Sequence, residues 1–113
     1  MAYGNHMSAL DKILASPTKH LGIKNVVWGA KEISVRDGFI EIGEIDLVLV
    51  TAPGYPFPYH VIEYKTSEFH REKALVQLEF GAKWVMDVFN SGCQKYFVHS
   101  DAMARKYIVE KIQ

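Results

Sequence analysis

The stretch Gly43-Glu44-Ile45-Asp46-Leu47-Val48-Leu49-Val50, followed after a loop by Val61-Ile62-Glu63-Tyr64-Lys65-Thr66, decides the fold of this chain. Both segments are short and rich in Val, Ile and Leu, a pattern that predicts strands covered on both faces. Each also carries charge where a core strand should carry none. Because Asp, Glu and Lys are almost never fully buried without a partner, Asp46, Glu63 and Lys65 require a specific arrangement around them.

A metal site accounts for these charges most economically. Side chains alternate across a strand, so Glu63 and Lys65 share one face. The same alternation places Ile45, Leu47 and Leu49 opposite Asp46. If the two strands pair as a hairpin around the 51–59 loop, Asp46 lies near Glu63. Two carboxylates are the usual protein share of a Mg²⁺ site, and a lysine two residues further on would orient a water or stabilise charge on a phosphate.

An Asp at a strand start followed by Glu-x-Lys on the next strand resembles the signature of the PD-(D/E)xK nuclease superfamily, here over roughly residues 8–112. The resemblance implies a single-domain α/β fold with a restriction-endonuclease-like core. In that core, helices flank a mixed central β-sheet in the order αβββαβα. It also implies that Asp46 and Glu63 bind Mg²⁺ or Mn²⁺. Lys65 would then be the catalytic lysine of an enzyme that cuts DNA.

The motif is similar to the branch that holds RecB-type nucleases and archaeal Holliday-junction resolvases. RecB-type members add a glutamine on the following helix, and Gln77 matches it as a further catalytic residue. The chain departs from that branch at Gly81, where those members carry a tyrosine. Many superfamily members place another acidic residue on the first helix, and Asp11 is the candidate there. Glu44, two residues before Asp46, is a second additional acidic candidate.

Substrate contacts are expected at the start of the longest predicted helix. His70, Arg71 and Lys73 follow Lys65 closely and would bind phosphate, helped by the amides of the helix N-terminus. The 52–59 loop holds three aromatic residues among three prolines. Three interpretations of this loop remain open: stacking on bases, packing against a second subunit, and folding back over the sheet.

The composition limits the size and setting of the protein. A chain of 113 residues forms one small domain. Residues 1–6 are interpreted as an expression-tag remnant and 7–113 as the nuclease-like domain, because a His-Met junction is a common cloning scar. A single cysteine, Cys93, excludes an intrachain disulfide. No membrane-spanning run or secretory signal is visible, and the expected location is cytoplasmic, in a reducing setting.

The charge balance weakens a DNA-binding interpretation. The chain has 13 basic and 13 acidic residues and a net charge of zero, whereas DNA-binding domains are usually basic. Carboxylates that bind metal would account for part of the negative charge. So short a chain has little room for a specificity domain, so a homodimer or a subunit of a larger complex is expected. DNA is preferred over RNA as the partner, with no membrane contact.

The remaining elements are predicted from periodicity and turn signals. A hairpin is expected around Asp37-Gly38, and Trp28 and Trp84 are expected in the core. The predicted elements are helices at 8–15, 69–90 and 101–112 and strands at 31–35, 39–42, 44–51, 60–66 and 95–99. Two alternatives to an enzyme stay open: a catalytically silent nuclease-like module that binds nucleic acid or protein, and a structural α/β oligomerisation domain.

Overall fold

The computed structural model describes residues 6–103 and 105–113. The predicted tag remnant lies outside them, apart from His6, where the first helix begins. The second helix begins at Pro17. Proline suits this position because the backbone N–H groups in the first turn of a helix have no partner within the helix, so the N–H that proline lacks is not missed. The elements are α1 (His6–Ala15), α2 (Pro17–Leu21), β1 (Val26–Asp37), β2 (Ile40–Thr51), β3 (Tyr59–Lys65), a short 3-10 helix (Glu68–His70), α3 (Arg71–Phe89), β4 (Cys93–Ser100) and β5 (Tyr107–Ile112).

The strands form one mixed sheet in the order β1-β2-β3-β4-β5. β3 and β4 are parallel and joined through α3, while the other neighbours are antiparallel. The predicted hairpin between the two charged strands is confirmed, with Leu47 opposite Ile62 and Val50 opposite Tyr59. The prediction of a single α/β domain with a mixed sheet flanked by helices is therefore confirmed. Within 6–103 and 105–113, no helix is long and apolar enough to cross a membrane.

Each face of the sheet carries its own apolar core, because helices cover both sides. Alternate residues of β3 point to opposite cores, as its side-chain period requires. The cluster beneath α1 and α2 includes Leu10, Ile13, Leu47, Leu49, Ile62, Tyr64 and Val98. The cluster beneath α3 includes Ile45, Val48, Val61, Ala74, Leu78, Val85 and Phe97.

The predicted final helix over 101–112 is wrong, because residues 107–112 form strand β5 at the sheet edge. The Asp101 side chain closes a turn ahead of this strand. Its Oδ1 accepts hydrogen bonds from the backbone N–H groups of Arg105 and Lys106, at 2.6 and 3.4 Å. Ile108 and Val109 are β-branched and suit a strand. The order αβββαβα thus fails at its last element.

The hairpin around Asp37-Gly38 is confirmed, with Gly38 at a φ of +64°. The two strands predicted at 39–42 and 44–51 are one continuous strand, because β1 pairs along the whole of β2. The prediction that Trp28 is buried is wrong, since 54% of its surface is exposed. β1 is the outer strand, so no further element covers it on that side.

The aromatic loop between β2 and β3 folds back over the protein. The Tyr55 hydroxyl accepts a hydrogen bond from the Lys24 backbone N–H at 2.7 Å, and its ring packs edge-on against His60. His60 is fully buried, and its two ring nitrogens contact the Thr51 and Tyr96 hydroxyls at 3.1 and 3.0 Å. Burial lowers the pKa of His60 to about 4, so the ring is neutral at pH 7. These contacts favour a structural role for the loop.

Candidate active site

The candidate site lies where β2 and β3 stop pairing. Their ladder ends at Leu47 and Ile62, while β2 continues toward its own start paired with β1 alone. At this point the Asp46 carboxylate replaces a backbone carbonyl, because its Oδ2 accepts a hydrogen bond from the Tyr64 backbone N–H at 2.8 Å. The fold thus holds a buried carboxylate in a fixed orientation between two strands.

Side-chain alternation breaks at this position. Ile45 was expected on the same face as Leu47, and this is wrong: Ile45 packs beneath α3, whereas Leu47 packs beneath α1. The Asp46 side chain lies between the strands and bonds to β3, which a regular alternation does not provide. Beside it in β1, Glu32 has a φ of +52°, a conformation that is rare for a residue with a side chain.

The carboxyl group of Glu63 lies beside that of Asp46. Both side chains are almost fully buried, with exposed fractions of 5% and 2%. Burial raises the pKa of Glu63 to about 9, and the neighbouring Asp46 charge adds to the effect, while Lys65 opposes it. Two like charges this close cannot both ionise readily in a buried site. Glu63 is therefore protonated at neutral pH.

Two buried side-chain oxygen atoms lack hydrogen-bond partners among the residues that the structure describes. One is Oε2 of Glu63, and the other is Oε1 of Gln77 on α3. An unsatisfied buried acceptor costs about 1–3 kcal/mol. Such atoms in a folded protein call for a cation, a water or a ligand donor. Both acceptors are oxygens, the ligand type that Mg²⁺ and Mn²⁺ prefer.

Gln77 is placed at the level of Glu63 by the packing of α3. At Gly81 the helix approaches the sheet so closely that an added Cβ would lie 3.2 Å from Val61 and 3.3 Å from Ile45. Gln77 is one turn earlier on the same helix face, about 6 Å along the axis. Because α3 runs back along β3, this matches the rise of about 6.6 Å from Val61 to Glu63. The close approach at Gly81 leaves little space for a larger side chain at this position.

Lys65 closes the site at the end of β3. It is half-buried, two residues beyond Glu63 and on the same strand face, as the sequence predicts. Its positive charge is near enough to favour ionisation of the Glu63 carboxyl, which opposes the rise in that pKa. The structure thus brings Asp46, Glu63 and Lys65 together, and Gln77 lies on α3 at the level of Glu63.

The two additional acidic candidates have other surroundings. Asp11, on α1, forms an ion pair with Lys31. Glu44 is exposed on β2, two residues before Asp46. Throughout 6–103 and 105–113, no three His, Cys, Asp or Glu side chains are grouped as metal ligands. The carboxylates at the site are therefore the two of Asp46 and Glu63.

The three predicted phosphate-binding residues are exposed near the start of α3. Arg71 is engaged by β5, because its Nε donates a hydrogen bond to Glu110 Oε1 at 2.8 Å and a second nitrogen contacts the other carboxylate oxygen. This pair raises the pKa of Arg71 and lowers that of Glu110. His70 and Lys73 stay candidates for a substrate contact.

A cleft that the sequence did not suggest begins one residue beyond Lys65. It has a volume of about 460 Å³ and lies at the carboxyl ends of β3 and β4, where ligands commonly bind in α/β sheets. Its wall includes Phe69, which is 92% exposed. The detectable signal in the sequence is that Phe69 falls outside the apolar face of the helix predicted over 69–90. The carboxylate pair itself does not line this cleft.

The residues of the site fit a divalent cation. Asp46 and Glu63 would hold it. Oε2 of Glu63 and Oε1 of Gln77, which have no hydrogen-bond partner among the described residues, are oxygens that a cation or its bound water could contact. Mg²⁺ typically takes one or two carboxylates, with water and substrate phosphate completing its shell. No protein-family model matches this chain, and no curated protein is significantly similar to it.

Proposed function

We propose that this protein is a metal-dependent phosphodiesterase that cuts DNA, with the active site formed by Asp46, Glu63, Lys65 and Gln77. One observation carries the proposal: two carboxyl groups are buried side by side, and Oε2 of Glu63 has no partner in the part of the chain that is described. Burying an acidic pair for structure alone is expensive. A bound cation would offset the free-energy cost of burying the two carboxyl groups.

Each residue has a definite task in this proposal. Mg²⁺ bound by Asp46 and Glu63 would polarise the scissile phosphate and lower the pKa of an attacking water. Asp46 is already oriented, since the Tyr64 N–H fixes its Oδ2. The Lys65 ammonium stabilises the charge that develops on the phosphate or holds the water in line. The Gln77 amide oxygen accepts a hydrogen bond from that water.

A cleavage assay on a mixed substrate panel tests the proposal. The panel holds single-stranded, duplex, flap and four-way-junction DNA together with RNA, each in Mg²⁺, Mn²⁺ or EDTA. We expect the parent to cut at least one DNA member only with metal. Glu63→Ala should lower the rate by about 10³-fold or more, because it removes a ligand carboxylate. Cutting in EDTA, or cutting at the parental rate by Glu63→Ala, would contradict the proposal.

A second candidate is a nuclease-like module that binds nucleic acid or a protein without cutting. Its support is the zero net charge of the chain, which is unusual for an enzyme that must hold DNA. The intact Asp46, Glu63 and Lys65 favour the enzyme. The same panel separates the two candidates, because the silent module binds a panel member and cuts none.

A homodimer would suit either candidate. In a two-fold dimer, two copies of the site would address two strands of a duplex or a junction. Because a single chain has no net positive charge, a DNA-binding surface formed by two chains together is favoured over one formed by a single chain. DNA remains the preferred partner, either for this dimer or for a larger complex that includes this chain.

A further inference from the structure

The cleft beside Lys65 has a composition that distinguishes it from a phosphate site. No lysine or arginine lines it among residues 6–103 and 105–113. Its wall carries two carboxylates, Glu68 and Asp101, together with serine and threonine hydroxyls and the apolar side chains of Phe69 and Ile108. A phosphate would be repelled by the two carboxylates, whereas a flat, neutral group with hydrogen-bond donors would be well accommodated.

Phe69 is positioned to bind such a group. It belongs to the 3-10 helix between β3 and α3, and its ring is 92% exposed. The backbone beneath it is fixed, because the Ser67 hydroxyl accepts a hydrogen bond from the Phe69 N–H at 3.2 Å. An exposed aromatic ring on a fixed backbone loses little entropy when a planar ligand stacks on it.

The polar groups of the cleft favour a ligand that donates hydrogen bonds. The His99 Nδ1–H donates to the Ser100 carbonyl oxygen at 2.8 Å, which leaves Nε2 as the ring nitrogen that can contact a ligand. The Glu68 carboxylate is exposed and, among the described residues, makes no ion pair. Nucleobases offer an aromatic face for Phe69 and, in adenine, cytosine and guanine, exocyclic amino donors for these acceptors.

We propose that this cleft binds an unpaired nucleobase next to the phosphate at which Lys65 acts. The inference rests on the proposed function for its orientation, because the cleft begins at Thr66, directly after Lys65. A base in a duplex cannot reach the cleft without leaving the stack, which costs a few kcal/mol. The preferred substrate is therefore a strand with an unpaired nucleotide at the cut, such as a flap, an overhang or a junction, in preference to an intact duplex.

Binding without cleavage tests this inference separately from the enzyme activity. The probes are a single-stranded DNA 12-mer, the same sequence as RNA, and its blunt duplex, each carrying one 2-aminopurine and titrated in EDTA. We expect the parent to bind the single strand more tightly than the duplex, with a change in 2-aminopurine emission. Phe69→Ala should weaken single-strand binding about 5- to 150-fold, as expected for the loss of one base–aromatic stack.

Two further variants keep the test specific. Phe69→Tyr retains an aromatic face and should bind within about threefold of the parent. Trp28→Ala removes an exposed aromatic ring at the opposite end of the sheet, where Trp28 pairs with Val50. It should bind as the parent does. Circular dichroism of each variant verifies that the fold is retained.

The outcomes separate the inference from the proposed function. Parental binding by Phe69→Ala, or no binding by the parent to any oligonucleotide, would overturn the inference, even if the parent cuts DNA with metal. If Phe69→Ala loses binding but the parent cuts no substrate, the base site is supported and the proposed nuclease activity is contradicted. Self-association that Phe69→Ala abolishes, with oligonucleotide binding unchanged, would reassign Phe69 to a protein contact and overturn the inference. Tighter binding to the RNA 12-mer than to the DNA 12-mer would support the base site and indicate RNA, rather than DNA, as the substrate.

Discussion

Lys65→Met is expected to lower the rate of metal-dependent cleavage by about 10²- to 10³-fold, the usual loss when one electrostatic stabiliser of a transition state is removed. The lysine is not a proposed metal ligand; its charge lies next to Glu63 at the end of β3. Mn²⁺ affinity should accordingly stay within about tenfold of the parent, since removing a nearby cation changes only a screened interaction. Single-turnover cleavage and Mn²⁺ titration of the same protein samples measure both quantities.

Two comparison variants sharpen this result. Lys65→Arg keeps the charge but changes its geometry, and should retain part of the activity. Lys83→Met removes an exposed lysine further along α3 and should cut at the parental rate. If Lys65→Met cuts as fast as the parent, or if Lys83→Met loses as much activity, the assigned role of Lys65 is wrong.

Glu63→Gln is expected to stabilise the metal-free protein by about 3 kcal/mol at pH 7, which corresponds to a rise in Tm of roughly 10 °C or more. The raised pKa of Glu63, about 9 against an ordinary 4.5, is the cause. The unfolded chain loses this proton above pH 4.5, whereas the folded chain retains it up to about pH 9. Stability of the parent is therefore lost progressively as pH rises through this window.

Glutamine reproduces the protonated form without this pH dependence. Its amide does not titrate and can donate a hydrogen bond to the neighbouring Asp46 carboxylate. The Tm of Glu63→Gln should therefore change less with pH than the parental Tm does between pH 5 and 9. Glu44→Gln changes an exposed carboxylate on the neighbouring strand and should shift stability by less than about 0.5 kcal/mol. Thermal unfolding in EDTA across this pH range measures all three proteins. A destabilised Glu63→Gln would show instead that the ionised pair supports the fold.

The sequence predicted the parts of the fold that depend on local pattern. The two charged strands, their hairpin and the long helix all have clear apolar periodicity, and turn residues such as Gly38 and Asn90 mark their ends with positive φ. The grouping of Asp46, Glu63 and Lys65 was also predicted, because the hairpin brings β2 beside β3 and alternation along β3 puts Glu63 and Lys65 on one face.

The features that the sequence missed depend on tertiary contacts. Residues 107–112 carry apolar side chains that suit either a helix or a strand. They form a strand because their backbone pairs with β4. Trp28 is exposed on β1, an outer strand of the sheet, and no local pattern in the sequence marks that strand as outer. The break in alternation at Asp46 arises from a side chain that bonds to a neighbouring strand. The cleft at Phe69 exists only because two parallel strands end side by side.

Isothermal titration of the metal-free protein with Mn²⁺ tests the central claim most directly. We predict one site per chain and, because Glu63 is protonated at pH 7, release of about one proton on binding, detected by comparing buffers of different ionisation enthalpy. Asp46→Asn should abolish the site, whereas Asp87→Asn, an exposed change on α3, should leave it intact. Absence of Mn²⁺ binding by the parent, or unchanged binding by Asp46→Asn, would contradict the assignment of Asp46 and Glu63 as a metal site.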